Sequence, residues 1–208
     1  MSRMRKAQLI VIVLSASAPA HADDVGPATD AGSVTNIRKG VKELDLGGTF
    51  LFSSTRSGDA DAVSRVSSLG GPSFQYFINN NVSVGANALF SYDQVGDASS
   101  TAFGGTAFGA LHIRLGLGAF LRPTLGVGAL VGTSQVDLGG GMVAEADQAS
   151  LLIRAALPFA YFPSKRVVLL AGPELNVSVG SVTPKAGGDS QSFTNIASGF
   201  GVGIGYAF

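Results

Sequence analysis

The sequence predicts an all-β protein, an eight-stranded antiparallel up-and-down transmembrane β-barrel. Period-two alternation recurs in eight runs from Val41 onward, each roughly the length of a tilted strand that crosses a bilayer. The connections between these runs alternate between long polar segments and tight turns. Each run also has one face of large apolar residues and one face of small or polar residues. That pattern is typical of a barrel with lipid outside and a narrow lumen inside.

The first 22 residues predict a secretory signal peptide. A basic start is followed by a short apolar run, residues 7–18, and then by small residues two apart, Ala20 and Ala22. The run is shorter than the roughly 20 residues that a membrane-spanning helix needs. We therefore expect export and cleavage after Ala22, rather than an uncleaved anchor.

The chain after Ala22 divides into a polar arm and a barrel. Residues 23–40 lack periodicity and predict a flexible periplasmic arm, whereas residues 41–208 carry the alternating runs. Three of the 14 basic residues lie in the signal, which leaves 11 basic against 14 acidic side chains, and this balance predicts no nucleic-acid partner. The absence of cysteine excludes disulfides, thiolate chemistry and a lipid-modified cysteine anchor.

The eight runs share one pattern, and the last one is the clearest. From Ile196 to Phe208 every second residue is large and mostly apolar, and those between are small, mainly glycine and alanine. In chain order, the outward faces of the eight runs begin with Leu44, Pro72, Val82, Phe103, Leu121, Leu151, Val167 and Ile196.

The connections predict how the barrel is oriented. Long polar connections are expected at 54–61, 94–100, 135–147 and 181–191, and tight turns at 78–81, 115–118 and 163–166. Outer-membrane barrels have long outer loops and short periplasmic turns, so both ends of the barrel domain are expected in the periplasm. Prolines lack the N–H that a strand ladder needs, so we expect a bulge or break at some of four sites. These sites are Pro72, Pro123, Pro158 and Pro173.

Aromatic residues predict two girdles at the membrane surfaces. All four tyrosines, Tyr76, Tyr92, Tyr161 and Tyr206, fall on the outward register near strand ends, where an amphipathic ring prefers the headgroup level. Four phenylalanines do not fit, because they fall on the inward register: Phe77, Phe108, Phe120 and Phe162.

Over residues 41–208 the chain resembles the small outer-membrane barrels of the OmpA/OmpX-like family. The most specific element is the ending G-V-G-I-G-Y-A-F, in which Tyr206 and Phe208 resemble the signal that the barrel-assembly machinery reads in that family. The resemblance implies location in a bacterial outer membrane. The implied partners are outer-membrane lipid, lipopolysaccharide and the assembly machinery. The lack of tryptophan departs from the family pattern.

Charged residues on the inward register predict ion pairs in the lumen. Arg154 and Glu174 flank the 163–166 turn almost symmetrically, so the hairpin places them opposite each other. Arg65 and Asp93 flank residue 79 in the same way.

A second charged group is expected near the periplasmic end, where Arg114 and Arg122 can reach Glu43 and Asp45 across a narrow lumen. A buried charge needs a partner, since an isolated one costs several kcal/mol. The group therefore reads either as a static plug or as an ion gate that opens by re-pairing. The plug is favoured because eight strands enclose little more than their own side chains.

Motifs for catalysis or cofactors are weak. His112 is the only histidine after the signal. Lipid A deacylases carry a His-x-Ser pair, but here Arg114 stands at the serine position, so that motif is absent. The glycine-rich stretches lie inside strands with no helix after them, which disfavours a phosphate loop. We expect no cofactor, no metal and no enzymatic activity.

The long connections are the remaining candidates for a binding role. They are rich in glycine and acidic in character, and they are expected either to be simply solvated or to bind an extracellular ligand or bridging divalent cations. The acidic residues are Asp97, Asp137, Glu145, Asp147 and Asp189.

The sequence thus predicts a non-enzymatic outer-membrane barrel with a packed polar lumen, acting in envelope integrity or surface contact. The alternatives are a narrow gated pore, a lipid-modifying enzyme that uses His112, and a soluble lipocalin-like barrel or β-sandwich.

Overall fold

The structure, a computed structural model, describes residues 37–57, 63–95, 98–137 and 143–208. The predicted signal peptide with Ala20 and Ala22, and the arm up to residue 36, lie outside these ranges. None of the described residues belongs to a helix long and apolar enough to cross a membrane.

The described chain folds into β-segments joined in antiparallel fashion. The segments are β1 (Lys42–Ser57), β2 (Val63–Phe77), β3 (Val82–Val95), β4 (Ala98–Leu111), β5 (Ile113–Gly116), β6 (Ala119–Leu121), β7 (Thr124–Asp137), β8 (Val143–Ala156), β9 (Phe159–Tyr161), β10 (Val167–Pro184) and β11 (Gln191–Ala207).

These segments make a closed barrel of eight strands, which confirms the predicted fold class. The segments β4 and β5, β6 and β7, and β8 and β9 are each one barrel strand with an interruption. The ring runs through β1, β2, β3, β4, β7, β8, β10 and β11, and β11 pairs back onto β1. Closure leaves no open edge along the ring, as a lipid environment requires.

The register fixes the tilt of the strands. The row of outward residues that starts at Leu44 passes through paired positions on all the other strands and returns to β1 at Ser54, ten residues further along. With eight strands, that shear corresponds to a tilt of about 40°. The result is a narrow barrel whose interior side chains fill most of its cross-section.

Two of the four prolines lie at interruptions. Pro123 separates β6 from β7, and Pro158 separates β8 from β9. Each proline still accepts one ladder bond at its carbonyl: the Leu111 N–H donates to Pro123 over 3.0 Å, and the Arg122 N–H donates to Pro158 over 2.9 Å. A proline has no N–H to return, so only the reciprocal bond is lost.

The other two prolines sit within continuous strands, so the expected break occurs at two of the four sites. The carbonyl of Pro173 in β10 accepts the Leu157 N–H over 3.0 Å. At Pro72 in β2, the pairing with β3 skips from Gly70 to Ser73 without a change of register. The ladder opens locally and then resumes.

The expected long loops are largely strand, which corrects the sequence prediction. β1 runs to Ser57, β3 and β4 are separated only by residues 96–97, and β10 continues to Pro184. The ladder bonds available in a growing hairpin outweigh the weak strand propensity of Ser, Gly and Asp. We call this end of the barrel the extended end. The opposite end, with turns at 78–81, 117–118 and 162–166, is the short-turn end.

The exterior carries a band of exposed apolar side chains, as a lipid-facing surface does. Most of its aromatic members lie near the two ends of the strands. Toward the short-turn end they are Phe74, Tyr76, Phe159, Tyr161, Tyr206 and Phe208, and toward the extended end Phe50, Phe52, Phe90, Tyr92 and Phe103. Phe200 lies midway along β11, opposite Phe50.

The lumen is layered rather than uniformly polar, which refines the predicted polar interior. At the short-turn end, Phe77, Phe120 and Phe162 are buried together with Val41 and Val168, and we call this cluster the phenylalanine plug. The three phenylalanines are among those that did not fit the girdles. A second apolar cluster fills the half nearer the extended end: Leu51, Leu69, Leu89, Leu152 and Ala197. Polar side chains occupy the space between.

The last residues of the predicted arm belong to the barrel. Ile37 packs against the plug, and the Gly40 N–H donates to the Phe77 carbonyl over 2.9 Å. Residues 37–40 are therefore anchored across the short-turn end.

Candidate functional site

The described residues form two Arg–Glu pairs in the lumen, and the first of them joins β8 to β10. Arg154 Nε donates to Glu174 Oε1 over 2.8 Å, and its Nη2 donates to Oε2 over 2.7 Å. Arg154 stands opposite Asn176 rather than opposite Glu174, so the predicted register is off by two residues and the pair is diagonal. Thr49 Oγ1 donates to Oε2 over 2.8 Å and Asn176 Nδ2 to Oε1 over 2.7 Å. The carboxylate thus accepts four hydrogen bonds.

The second Arg–Glu pair crosses the lumen between distant strands. Arg122, at the interruption before β7, donates from Nη1 to Glu43 Oε1 over 2.6 Å and from Nη2 to Oε2 over 3.2 Å. Gln75 Nε2 donates to the same Glu43 Oε1. Both charged side chains are almost fully buried beside the plug. Each therefore needs the opposite charge of the other to offset the free-energy cost of its burial.

Asp45 is buried next to this second pair but forms no ion pair with a described residue. Its Oδ2 accepts from Ser73 Oγ over 3.2 Å and from Gln75 Nε2 over 3.4 Å, while Oδ1 has no hydrogen-bond partner. A Cβ at Gly205 would collide with Asp45 Oδ1. The glycine on the facing strand therefore makes the room that this carboxyl occupies.

Arg114 and Arg65 were both predicted to point into the lumen, and the structure describes the side chain of Arg114 but not that of Arg65. Arg114 lies on β5, every residue of which is exposed, so the expectation of a lumen role for Arg114 was wrong. β5 pairs with β6 alone, and its hairpin has no neighbour on the β3 side to enclose it. The side chain of Arg65 lies outside the described part of the chain, so its pairing with Asp93 stays a prediction.

A serine–histidine contact appears that the sequence did not reveal. His112 Nε2 lies 2.8 Å from Ser83 Oγ, and both side chains are buried under Phe77, whose ring centroid is 4.6 Å from that of His112. Ser83 Oγ also donates to Gln75 Oε1 over 2.7 Å. The hydroxyl has only one hydrogen, so His112 is the donor in the Ser–His contact. Its Nδ1 has no hydrogen-bond partner among the residues that the structure describes, so none of these orients the ring as in a catalytic triad.

The partners that sequence analysis missed carry a weak signal. Gln75, Ser83, Thr49 and Asn176 all lie on the inward register of their strands. Polar side chains at such positions are expected to form hydrogen bonds inside the lumen, but the alternation pattern does not identify their partners.

A cavity of about 120 Å³ lies in the lumen beside the first pair. Its polar lining comes from Asp45, Thr49, Ser73, Asn87, Arg154 and Glu174, and glycines of β1, β2, β10 and β11 form much of the remaining wall. A cavity of this size and polarity has room for several water molecules.

The predicted assembly signal forms a small aromatic cluster on the exterior wall of the barrel, at the short-turn end. The rings of Tyr206 and Phe208 stack at 6.4 Å, and Arg166 Nη1 donates to the Tyr206 hydroxyl over 2.9 Å. The role of this ending in assembly stays a prediction.

No protein-family model matches the chain, and no curated protein matches it. Solved structures do. Neisserial surface protein A aligns with a TM-score of 0.54 and 17% identity, covering 82% of this chain and all of the other.

The chain has the fold of the small outer-membrane β-barrels. Two further solved structures cover 82% of the chain with a TM-score of 0.46. They are the attachment invasion locus protein Ail of Yersinia pestis, at 15% identity and 99% of its length, and OprG of Pseudomonas aeruginosa, at 16% and 97%. At these identities the likeness concerns architecture, and the role of the barrel must be argued from its own residues.

Proposed function

We propose that the chain is a non-enzymatic outer-membrane barrel with a closed lumen, which contributes to envelope integrity or surface contact through its extended end. The observation that carries the closed lumen is the phenylalanine plug. Phe77 and Phe162 are almost fully buried, and they stand directly beside the buried Arg122–Glu43 pair. Three buried aromatic rings next to a buried, doubly hydrogen-bonded ion pair support a lumen that is closed to water at the short-turn end.

A second candidate, a narrow gated pore, is favoured by the cavity next to Arg154. The side chain of Arg154 is 22% exposed, so its pair with Glu174 has space in which to rearrange. The plug would have to move as well for ions to pass.

Conductance in planar bilayers separates these two functions. We expect the purified full-length protein to be silent over a wide voltage range. Phe120→Ala should admit ions if the plug closes the lumen, and a cold SDS gel with a heat-modifiable band shows whether that variant has folded. Channels in the wild-type protein would contradict the closed lumen and support the pore.

The role at the cell surface is tested by complementation. Cells that lack the protein express either the wild type or a variant in which a two-residue turn replaces residues 185–190. Their survival in detergent and their adhesion to surfaces are then measured. We expect the wild type to restore the lost property and the variant to fall short. Full activity of the variant would remove this hairpin from the proposal.

The enzymatic alternative depends on the Ser83–His112 contact. Ser83 is completely buried and His112 nearly so, and the hydroxyl hydrogen of Ser83 is engaged by Gln75. A lipid substrate therefore has no route to the hydroxyl in this structure. We expect His112→Ala to leave lipid composition unchanged in cells, and a changed lipid profile would revive the enzyme hypothesis.

A further inference from the structure

The exposed charges of the described residues are divided between the two ends of the barrel. Every exposed charged side chain at the short-turn end is basic: Arg38, Lys39, Lys42, Arg114, Lys165 and Arg166. At the extended end, the exposed charged side chains that the structure describes are mainly acidic. Lys185 is the one basic residue among them, against Glu145, Asp147 and Asp189. The exposed charges that the structure describes are therefore separated by sign between the two ends, although the formal net charge of the whole chain is zero.

The basic side chains at the short-turn end lack anionic partners. None of them forms an ion pair with another described residue. Arg166 donates instead to the hydroxyl of Tyr206, and its guanidinium carbon lies 6.0 Å from the centroid of that ring. The described side-chain carboxylates nearest to this end, those of Glu43 and Asp45, are buried in the lumen and are not available at the surface.

The positions of these residues place them around the rim rather than in one patch. Lys39 lies beside the β2–β3 turn, where its N–H donates to Asn80 Oδ1 over 3.2 Å. Arg114 lies on the β5–β6 hairpin, and Arg166 lies in the turn before β10. The charges thus surround the barrel at one level of its axis.

That level coincides with the aromatic band of the short-turn end. Lys42 lies opposite Tyr76 on one side, and it exchanges backbone hydrogen bonds with Phe208 on the other. Tyrosine rings at a barrel rim mark the depth of the lipid headgroups, and long basic side chains next to them extend toward the phosphates. A cationic rim at this depth fits a lipid surface better than it fits a globular partner, which would need a single contiguous face.

We propose that the short-turn end binds anionic phospholipid headgroups, with its ring of basic side chains contacting the phosphates. This inference goes beyond the proposed function, because it concerns the opposite end of the barrel and does not depend on a closed lumen. Such binding would hold the barrel at a fixed depth and enrich anionic lipid in the leaflet around that rim.

Tyrosine fluorescence provides the test, because Tyr76, Tyr161 and Tyr206 all lie at this end and the chain has no tryptophan. The full chain is reconstituted in vesicles of phosphatidylcholine and phosphatidylglycerol in which either one or the other lipid is brominated. At equal mole fraction we expect brominated phosphatidylglycerol to quench several-fold more strongly than brominated phosphatidylcholine. The preference should weaken in high salt, because exposed charges are screened.

Variants locate the effect. The triple substitution Lys42→Gln, Arg114→Gln and Lys165→Gln should abolish the preference and leave Arg166 in contact with Tyr206. The matched control Lys185→Gln removes a charge at the extended end and should keep the preference. Equal quenching by the two lipids in the wild-type protein, or an undiminished preference in the triple variant, would overturn the proposal.

Discussion

Two ion pairs of the same chemistry lie in the lumen in different surroundings. In each, an arginine contacts a glutamate through two hydrogen bonds. The side chains of Arg122 and Glu43 are 4% and 0% exposed, and they lie against the phenylalanine plug. Those of Arg154 and Glu174 are 22% and 3% exposed, beside the cavity.

The difference indicates what each pair contributes to the barrel. Water can reach Arg154 through the cavity and solvate it when its partner is lost, whereas the side chain of Arg122 is closed off from water and has nearby only the Asp45 carboxyl, with which it forms no ion pair. The cost of breaking a buried pair comes mainly from the charge that is left behind. The pair next to the plug should therefore be much more sensitive to substitution.

The largest effect is expected for Glu43→Gln, which keeps the volume but removes the carboxylate that Arg122 contacts. Stranding this buried guanidinium should cost about 3–5 kcal/mol in the free energy of unfolding. Urea unfolding in lipid vesicles, followed by the heat-modifiable band on cold SDS gels, measures it.

A double variant serves as the control for this substitution. With Arg122→Met added to Glu43→Gln, neither position of the pair carries a charge, and much of the lost stability should return. If the single variant unfolds at the same urea concentration as the wild type, the pair does not stabilise the barrel.

Glu174→Gln makes the same substitution in the pair beside the cavity, so its loss of stability can be compared with that of Glu43→Gln. Arg154 loses its counter-charge, but the cavity lets water solvate it, so we expect a smaller loss of about 1–3 kcal/mol. The same urea titration applies. A loss equal to or greater than that of Glu43→Gln would contradict the argument that solvent access separates the two pairs.

The two pairs also show how far the sequence alone leads. Arg154 and Glu174 flank one tight turn, so period-two alternation and a short hairpin suffice to bring them together. Arg122 and Glu43 lie on strands that are not neighbours, and only closure of the barrel at a given shear joins them. Sequence analysis could name Arg114 and Arg122 as candidates for the same carboxylates. It could not decide between them, because that depends on where the β5–β6 hairpin leaves the ring.

The extent of the strands was equally hard to predict. Residues 181–184 have the composition of a loop, yet they are strand because the ladder to β8 continues through all four and the ladder to β11 through the first two. Pairing with neighbours outweighs local propensity in a sheet. The faces of the strands, by contrast, follow directly from alternation, since lipid contacts one side of every strand.

Gly205→Ala tests the room that a glycine makes near the sealed pair. A Cβ at this position would collide with Asp45 Oδ1 and lie 2.7 Å from Val168 Cγ1, so overpacking should cost about 1–3 kcal/mol. Gly48→Ala is the matched control, because the nearest atom to its Cβ, the Leu69 carbonyl oxygen, is 3.9 Å away. Equal urea midpoints for the two variants would show that the lumen around Asp45 can relax.

The smallest effect is expected at the extended end, where the ion pairs are exposed. Lys185 Nζ lies 3.1 Å from Glu145 Oε2 and 3.6 Å from Asp147 Oδ1. A hydrogen bond from Lys185 to Glu145, together with the charges of Glu145 and Asp147, raises the pKa of Lys185 above its usual value. Since the pKa of Lys185 is higher in the folded than in the unfolded protein, any stabilisation is present at neutral pH and is lost only in strong alkali.

Water screens both partners, so Lys185→Gln should leave the urea midpoint at pH 7 unchanged. A clear shift at pH 7 would mean that solvent exposure does not govern the strength of these pairs, and the contrast between Glu43 and Glu174 would then need another cause.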